Sequence, residues 1–439
     1  MSKNVSEELS DLKSLINKIS KKVIDNSVSI DENKILINCL SQEIKSNRDV
    51  CNTLNYTLLL IEPNRAGHSP NYVKTIGRHF LSMGFNLVTL TPFPVEIENF
   101  LLPIAKKADV ELTNYFYTQI EPKNKKRCWE ALRLLIGNVD LFDKVDLAFF
   151  PSIDYFIDPS LEADDCHLKN ILWGGIYMGA SYHRIPDKQK WLIQREKCLS
   201  SDKCKFLYIF DPQVLGSLKN KFSNKSIYQI PDFTEVATDS STTTLLEHIS
   251  RYKNNRIVIG LAGSLGRWKG VMTFLEYIKL LPEKLFYFVL AGKLNTQTFS
   301  KHELDVIQKF ADNLPDNVFF FPEIISNSEG GFNALLKAFD AVFLGYFEFP
   351  QSSNLLSKAA KLKIPVIASD RFFMGEAVKN YNLGVTFDSN NVNDAVRATF
   401  YLKENLELIK NNAKFDDYCD SFVDGLDSSL SKIIEIIEK

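Results

Sequence analysis

Two turns in the second half of the chain carry the residues whose types and spacing best suit chemistry. In the first, Ile257-Val258-Ile259-Gly260-Leu261 runs into Ala262-Gly263-Ser264-Leu265-Gly266-Arg267-Trp268-Lys269-Gly270. In the second, Ala341-Val342-Phe343-Leu344 is followed by Gly345-Tyr346-Phe347-Glu348-Phe349-Pro350-Gln351-Ser352-Ser353-Asn354 and then a helical pattern. A strand that ends in small residues and opens a helix leaves N–H groups unpaired at the helix start, with the positive end of the dipole behind them. That arrangement favours anions, phosphate above all. Two such turns in one domain point to a diphosphate. Lys269 and Arg267 would place fixed positive charge beside it, and the N–H groups near Ser353 and Asn354 would share the task. The plainer alternatives are a solvated helix-start lysine at Lys269 and ordinary helix caps at Ser352, Ser353 and Asn354.

These turns need elements to hold them. Apolar runs of strand length recur at 257–261, 286–290, 318–321, 341–344, 366–368 and 385–387, with helical spacing between nearly all of them. The first half repeats the pattern. Strands are expected at 56–61, 87–90, 147–150, 171–173, 206–210 and 227–230, and a helix carrying Tyr72, Ile76, Phe80 and Leu81 on one face follows the first. Strands apolar through their length and alternating with helices predict parallel sheets covered on both faces. The expected fold is α/β, with two Rossmann-like domains facing across a cleft. Open parallel sheets bind ligands at the carboxyl ends of their strands. The loops leaving Ile61, Trp173, Leu261, Leu290, Leu344 and Ala368 are therefore the ones to inspect. His68 lies in the first of these loops, and His183, in Gly179-Ala180-Ser181-Tyr182-His183-Arg184, follows the second; the plainer reading of a loop histidine is a solvated polar group.

The divisions read from the sequence are an arm over 1–50, a first domain over 51–235, a polar connection over 236–255, a second domain over 256–410 and a closing helix over 411–439. The arm has no Gly or Pro, and Leu9, Leu12, Ile16, Ile19 and Val23 form a helical seam. It reads either as a coiled-coil arm for self-association or for docking a partner enzyme, or as a helical hairpin folded on its own domain. With 439 residues, 45% of them apolar, the chain can fill two cores. A formal charge of −2 gives no support for nucleic-acid binding. Seven scattered cysteines without a Cys-x-x-Cys indicate neither a disulfide framework nor zinc, and a reducing compartment is the simplest reading. Asp164-Asp165-Cys166-His167 is metal-capable in type, but a polar loop is the plainer reading, and no metal is expected. The start lacks a signal-peptide pattern, and no apolar run approaches the roughly 20 residues of a membrane-spanning helix. A cytoplasmic protein is expected. The basic start of an amphipathic segment at Lys123-Asn124-Lys125-Lys126-Arg127 is either a charged face or a peripheral contact with the inner face of a membrane.

The stretch from Ile257 to Phe387 resembles the donor domain of the group 1 glycosyltransferases (family four), which have the two-domain GT-B fold. The family's Gly-Arg-Leu-x-x-x-Lys-Gly is matched by Gly263-Ser264-Leu265-Gly266-Arg267-Trp268-Lys269-Gly270, its Gly-x-Pro-Val by Lys363-Ile364-Pro365-Val366, and its later Gly-Glu and Leu-Gly-Val by Gly375-Glu376 and Leu383-Gly384-Val385. Ala66-Gly67-His68 resembles its glycine-rich loop after strand one, and Ile230-Pro231-Asp232 the segment that ends its first domain. The family arginine is Ser264 here, with Arg267 three positions on. The two family glutamates fall on Pro350 and Lys358, with Glu348 near the first.

The resemblance implies transfer of a sugar from a nucleotide-diphosphate sugar to a hydroxyl of a glycan, a lipid-linked glycan or a protein, generally with retention, and with no cofactor beyond the donor. On this reading Gly263, Ser264, Arg267, Lys269, Ser352, Ser353, Asn354, Lys358 and Glu376 face the donor, and His68, His183 and Glu348 the reacting sugar or acceptor. A nucleotide-sugar epimerase of the same fold and a degenerate scaffold that recruits an active transferase are the alternatives.

Overall fold

The computed structural model describes residues 56–64, 69–118, 123–138, 140–234, 236, 243–325 and 329–438. The expected arm and His68 lie outside the described residues.

Among those residues the chain forms two wholly parallel sheets. The first orders its seven strands β3-β2-β1-β4-β5-β6-β7. They are β1 Thr57–Ile61, β2 Asn86–Thr91, β3 Leu112–Phe116, β4 Leu147–Phe150, β5 Leu172–Ile176, β6 Cys204–Ile209 and β7 Ser226–Gln229. The second orders six strands β10-β9-β8-β11-β12-β13. They are β8 Ile257–Ala262, β9 Phe286–Ala291, β10 Val318–Phe321, β11 Ala341–Leu344, β12 Val366–Ser369 and β13 Gly384–Phe387. Each sheet reverses direction of growth once, between β1 and β4 and between β8 and β11, and a crevice at the carboxyl ends opens at such a reversal.

The central strands are buried on both faces, as β1, β4, β8, β9 and β11 show almost without interruption. One cluster of buried side chains lies on one face of the first sheet, built on Trp129, Phe150, Phe156 and Trp173. A second lies on one face of the second sheet, around Phe274, Tyr277, Phe288 and Phe343. The remaining faces share a single cluster that runs from Leu58 and Phe149 through Phe233 to Leu344, Leu356 and Ile433.

The Phe415–Ile437 helix closes that shared cluster. It stacks Phe422 on Phe233 at 3.7 Å and reaches the first sheet, where Tyr208 and Ser429 hydroxyls meet at 2.5 Å. The chain end is thereby fastened to the domain it left about 200 residues earlier.

Three features differ from the sequence reading. β3 was not expected; its side chains are all half-buried, so it lacks an apolar run. The polar connection holds a helix, Thr243–Tyr252, which buries Leu245 and Ile249. Cys166 and Cys198 are joined in a disulfide, although their spacing of 32 residues gave no pattern. Short 3-10 turns at Ala163–Cys166 and Cys198–Ser200 bring them together. Asp165 belongs to the capping box of the first of these turns and pairs with Lys126 at 2.8 Å. The basic helix start is thus in part a salt-bridged face. Among the described residues no helix is long and apolar enough to cross a membrane.

Candidate functional site

The first turn leaves β8 through Gly263, whose φ of +100° is in the range that favours glycine. Leu265 is buried and anchors the loop beside Leu294. A 3-10 turn over Arg267–Lys269 then leads to Gly270, which caps the Val271–Leu280 helix at φ +75°. The first N–H groups of that helix have no carbonyl upstream to bond. The Lys269 ammonium folds back over the end of β8, donating to the Ala262 carbonyl at 3.3 Å.

The second turn packs directly onto the first. A Cβ at Gly270 would stand 2.0 Å from the Gly345 carbonyl oxygen, so only glycine permits this approach. The Phe347 N–H donates to the Trp268 carbonyl at 2.9 Å, binding the two turns together. Tyr346 lies between their functional groups. Its ring centroid is 5.9 Å from Lys269 Nζ, and its hydroxyl is 2.6 Å from Ser353 Oγ. Lys269 and Ser353 therefore converge on one side chain.

Ser353 caps the Asn354–Lys361 helix, its Oγ accepting from the Leu355 N–H at 3.3 Å. Its neighbours serve the hinge between domains. Ser352 donates to Asp232 at 2.9 Å, the Asn354 side-chain amide donates to the Phe233 carbonyl at 2.7 Å, and the Thr234 hydroxyl donates to Asn354 Oδ1 at 3.2 Å. Asp232 also accepts from Tyr72 of the first domain at 3.0 Å and takes the Phe233 N–H at 2.8 Å. What Ser353 and Asn354 keep for a ligand is their backbone N–H groups, which make no hydrogen bond among the described residues.

Across the cleft the first domain presents Arg184. Its guanidinium grips Glu376 at 2.6 and 3.3 Å and lies 3.4 Å from Asp211. Glu376 comes from the Phe372–Asn380 helix of the second domain, so this is a bridge between the two walls. Burial raises the Asp211 pKa, while the Gln213 N–H and the Arg184 charge pull the other way.

Residues 245–416 match the profile of the glycosyl transferases, group 1. The second domain is thus similar to a group 1 glycosyltransferase domain. The matched stretch includes the turn that carries Lys269 and Gly270. Solved structures similar to the whole described chain show the same two-domain GT-B fold. HepE of Anabaena, in complex with UDP and glucose, superposes with a TM-score of 0.60 at 12% identity, covering 87% of this chain and 100% of its own. Sucrose-phosphate synthase from Thermosynechococcus elongatus gives 0.61 at 13% identity, covering 87% and 99%. A glycosyltransferase from Rickettsia africae gives 0.57 at 16%, covering 88% and 98%. No curated protein sequence matches this chain.

Within this two-domain fold several expected site residues turn to other partners. Arg267 does not join Lys269: its Nε donates to Glu303 at 2.7 Å and its guanidinium lies over the Phe347 ring. Arg267 opens the 3-10 turn two residues before Lys269, and its side chain leaves toward Glu303. Ser264 is exposed at the tip of the first turn. Glu348 is exposed at the tip of the second, with φ +48°. Lys358 is fully buried and donates to Asn333 at 3.1 Å, so the position that carries a family glutamate forms an interior polar contact.

His183 does not line the cleft. Its Nε2 lies 2.6 Å from Glu196 Oε1, and Glu196 is also bonded by Tyr177 and Lys221. Burial pushes the Glu196 pKa up, but these hydrogen bonds outweigh it and hold the pKa below the ordinary value. The cleft contact belongs to the next residue, Arg184. The sequence reading also passed over Glu62, the first residue beyond β1. It is fully buried, and burial raises its pKa to about 8 against hydrogen bonds from Asn64 and Ser69.

Proposed function

We propose that the protein transfers a sugar from a nucleoside diphosphate sugar to a hydroxyl of a glycan, a lipid-linked glycan or a protein, with retention of configuration. One observation carries this reading: Lys269 and Ser353 meet at Tyr346, in two turns that only Gly270 allows to touch. As the glycosidic bond to the diphosphate breaks, negative charge grows on the leaving oxygen. A lysine held in place before the reaction stabilises that charge without reorganisation. The N–H groups of Ser353 and Asn354, backed by the start of their helix, take the remaining phosphate oxygens. The scheme needs no metal and no cofactor besides the donor, because these groups supply the positive charge. Arg184 and Glu376 bridge the two walls.

Thermal shift with UDP and UDP-glucose tests the donor site, since a ligand that binds only the folded chain raises its melting temperature. The expected result is a shift with both that Lys269→Ala abolishes. No shift with either, or an equal shift in the variant, refutes the assignment. Buried Lys358 favours a second reading, a scaffold that binds a nucleotide without turning it over. UDP binding with no UDP-glucose hydrolysis and no transfer would select it.

A further inference from the structure

We propose that Cys166 and Cys198 form a redox clasp, whose opening by a dithiol loosens the segment that presents Arg184 across the cleft. Its action does not depend on which ligand the cleft takes.

The two cysteines end one short 3-10 turn and begin another, Ala163–Cys166 and Cys198–Ser200, and a disulfide joins them. Both are buried, but exposed Asp164, Lys197 and Ser200 flank them. Turns this short are held by few hydrogen bonds and can open locally without global unfolding. The Lys197–Glu162 ion pair spans the same two turns and gives them a second, weaker link once the covalent one is broken. Cys166 Sγ lies 3.5 Å from the Glu162 carbonyl oxygen, which can accept the thiol proton in the reduced form. Cys204, at the start of β6, does not compete for either partner. Burial pushes its thiol up to about 12, and the thiolate is the exchanging form.

The route to the cleft runs through Glu196. Its carbonyl accepts the Leu199 N–H at 2.9 Å, which ties it to the turn that carries Cys198. Its buried carboxylate is bonded by Tyr177, His183 and Lys221. Tyr177 immediately precedes the Met178–Arg184 segment and His183 stands in its last turn, so one carboxylate holds both ends. Arg184 follows His183 and reaches Glu376 of the second domain. Loosening the Cys198 turn therefore loosens Glu196, and with it the end of the segment that carries Arg184. The start of the segment is held separately, because Asp154 accepts the Met178 and Gly179 N–H groups at 2.7 and 3.1 Å.

The step is thiol–disulfide exchange. A thiolate of the dithiol attacks one sulfur and breaks the S–S bond; its second thiol then closes a cyclic disulfide and releases the other cysteine. Two electrons pass to the protein, and each cysteine takes up a proton. A low-molecular-weight disulfide reverses the exchange. The thiol poise of the compartment then sets the state of the clasp.

The test compares the full chain oxidised with glutathione disulfide and reduced with dithiothreitol. Thiol titration in denaturant should find two fewer thiols in the oxidised protein. On reduction the Ile185 amide, bonded to the Tyr182 carbonyl at 2.9 Å, should exchange about tenfold faster, while the Met178 and Gly179 amides change little. The melting temperature should fall by about 5–15 °C. Cys198→Ser should behave as reduced and ignore dithiothreitol, and Cys204→Ser should respond like the wild type; if Cys198→Ser does not fold, the reduced wild type carries the same comparison. In Arg184→Ala the fall on reduction should shrink to about half or less, since clasp and bridge act on one segment. An equal thiol count in the two forms overturns the clasp. Unchanged exchange at Ile185, or an undiminished fall in Arg184→Ala, leaves a local staple and overturns its link to the cleft.

Discussion

Replacing Gly270 by alanine should separate the two turns proposed to hold the donor. The magnitude follows from the geometry. The new Cβ would lie 2.0 Å from the Gly345 oxygen and 2.8 Å from the carbon behind it. Real Cβ contacts stay above 3.0 Å, so the second turn must retreat by about 1 Å or the Val271–Leu280 helix must tilt. Left-handed backbone at φ +75° costs alanine about 1 kcal/mol. A forced backbone shift in a packed region adds about 1–3 kcal/mol. Together these give about 2–4 kcal/mol, which for a domain of this size lowers the melting temperature by roughly 5–15 °C. The Phe347-to-Trp268 hydrogen bond is the link that breaks first, and Lys269 moves with it. UDP affinity should therefore fall at least tenfold. Gly216→Ala is the control, because its Cβ meets nothing within 4 Å on the Leu215–Lys221 helix. Melting curves with and without UDP read both effects. A Gly270→Ala protein that melts within 2 °C of wild type and binds UDP normally would refute the reasoning.

Three other outcomes are expected. Arg184→Ala should destabilise more than Glu376→Gln, since it leaves Asp211 buried without its cation; about 2–4 kcal/mol against about 1 is expected, and adding Asp211→Asn to Arg184→Ala should recover part of the loss in melting temperature. Ser352→Ala and Tyr72→Phe each remove one hydrogen bond to buried Asp232 and should each cost about 1–2 kcal/mol, with a non-additive double variant in denaturant melts. For Glu62, the folded pKa near 8 lies above the ordinary 4.5, so the unfolded chain releases its proton first. Stability should accordingly fall as pH rises from about 4.5 to about 8, and Glu62→Gln should flatten that slope in a series of urea midpoints.

Most of the fold was legible because burial on both faces leaves a plain mark. Leu58-Leu59-Leu60-Ile61 and Phe286-Tyr287-Phe288-Val289-Leu290 have no polar side to hide, and both proved to be central strands. β3 escaped for the opposite reason. Leu112-Thr113-Asn114-Tyr115-Phe116 is an edge strand, half-buried throughout, and the Thr89 hydroxyl donates to Asn114 from the neighbouring strand. Its polar residues are satisfied by a partner that local pattern does not reveal. The Thr243–Tyr252 helix was masked by the Ser and Thr run before it, although Leu245 and Ile249 already had helical spacing.

The site was legible where backbone geometry restricts the residue type. Gly263 and Gly270 sit at positive φ, and Lys269 follows from the turn between them, so that motif states its own shape. Side-chain pairing is different, because a charge does not announce its partner. His183 and Arg184 are neighbours on one 3-10 segment, Met178–Arg184, and their side chains leave it in different directions. The histidine meets Glu196, 13 residues on, inside the first domain; the arginine meets Glu376, 192 residues on, across the cleft. Choosing between them by residue type favours histidine, the common proton carrier near pH 7. Choosing by position favours arginine, and only the packing of Asp211 and the Pro212–Val214 turn it caps against that segment decides. Ser352 shows the same limit, since a serine before a helix suggests a cap or an anion, while its bond to Asp232 spans 120 residues of chain and makes it a hinge contact.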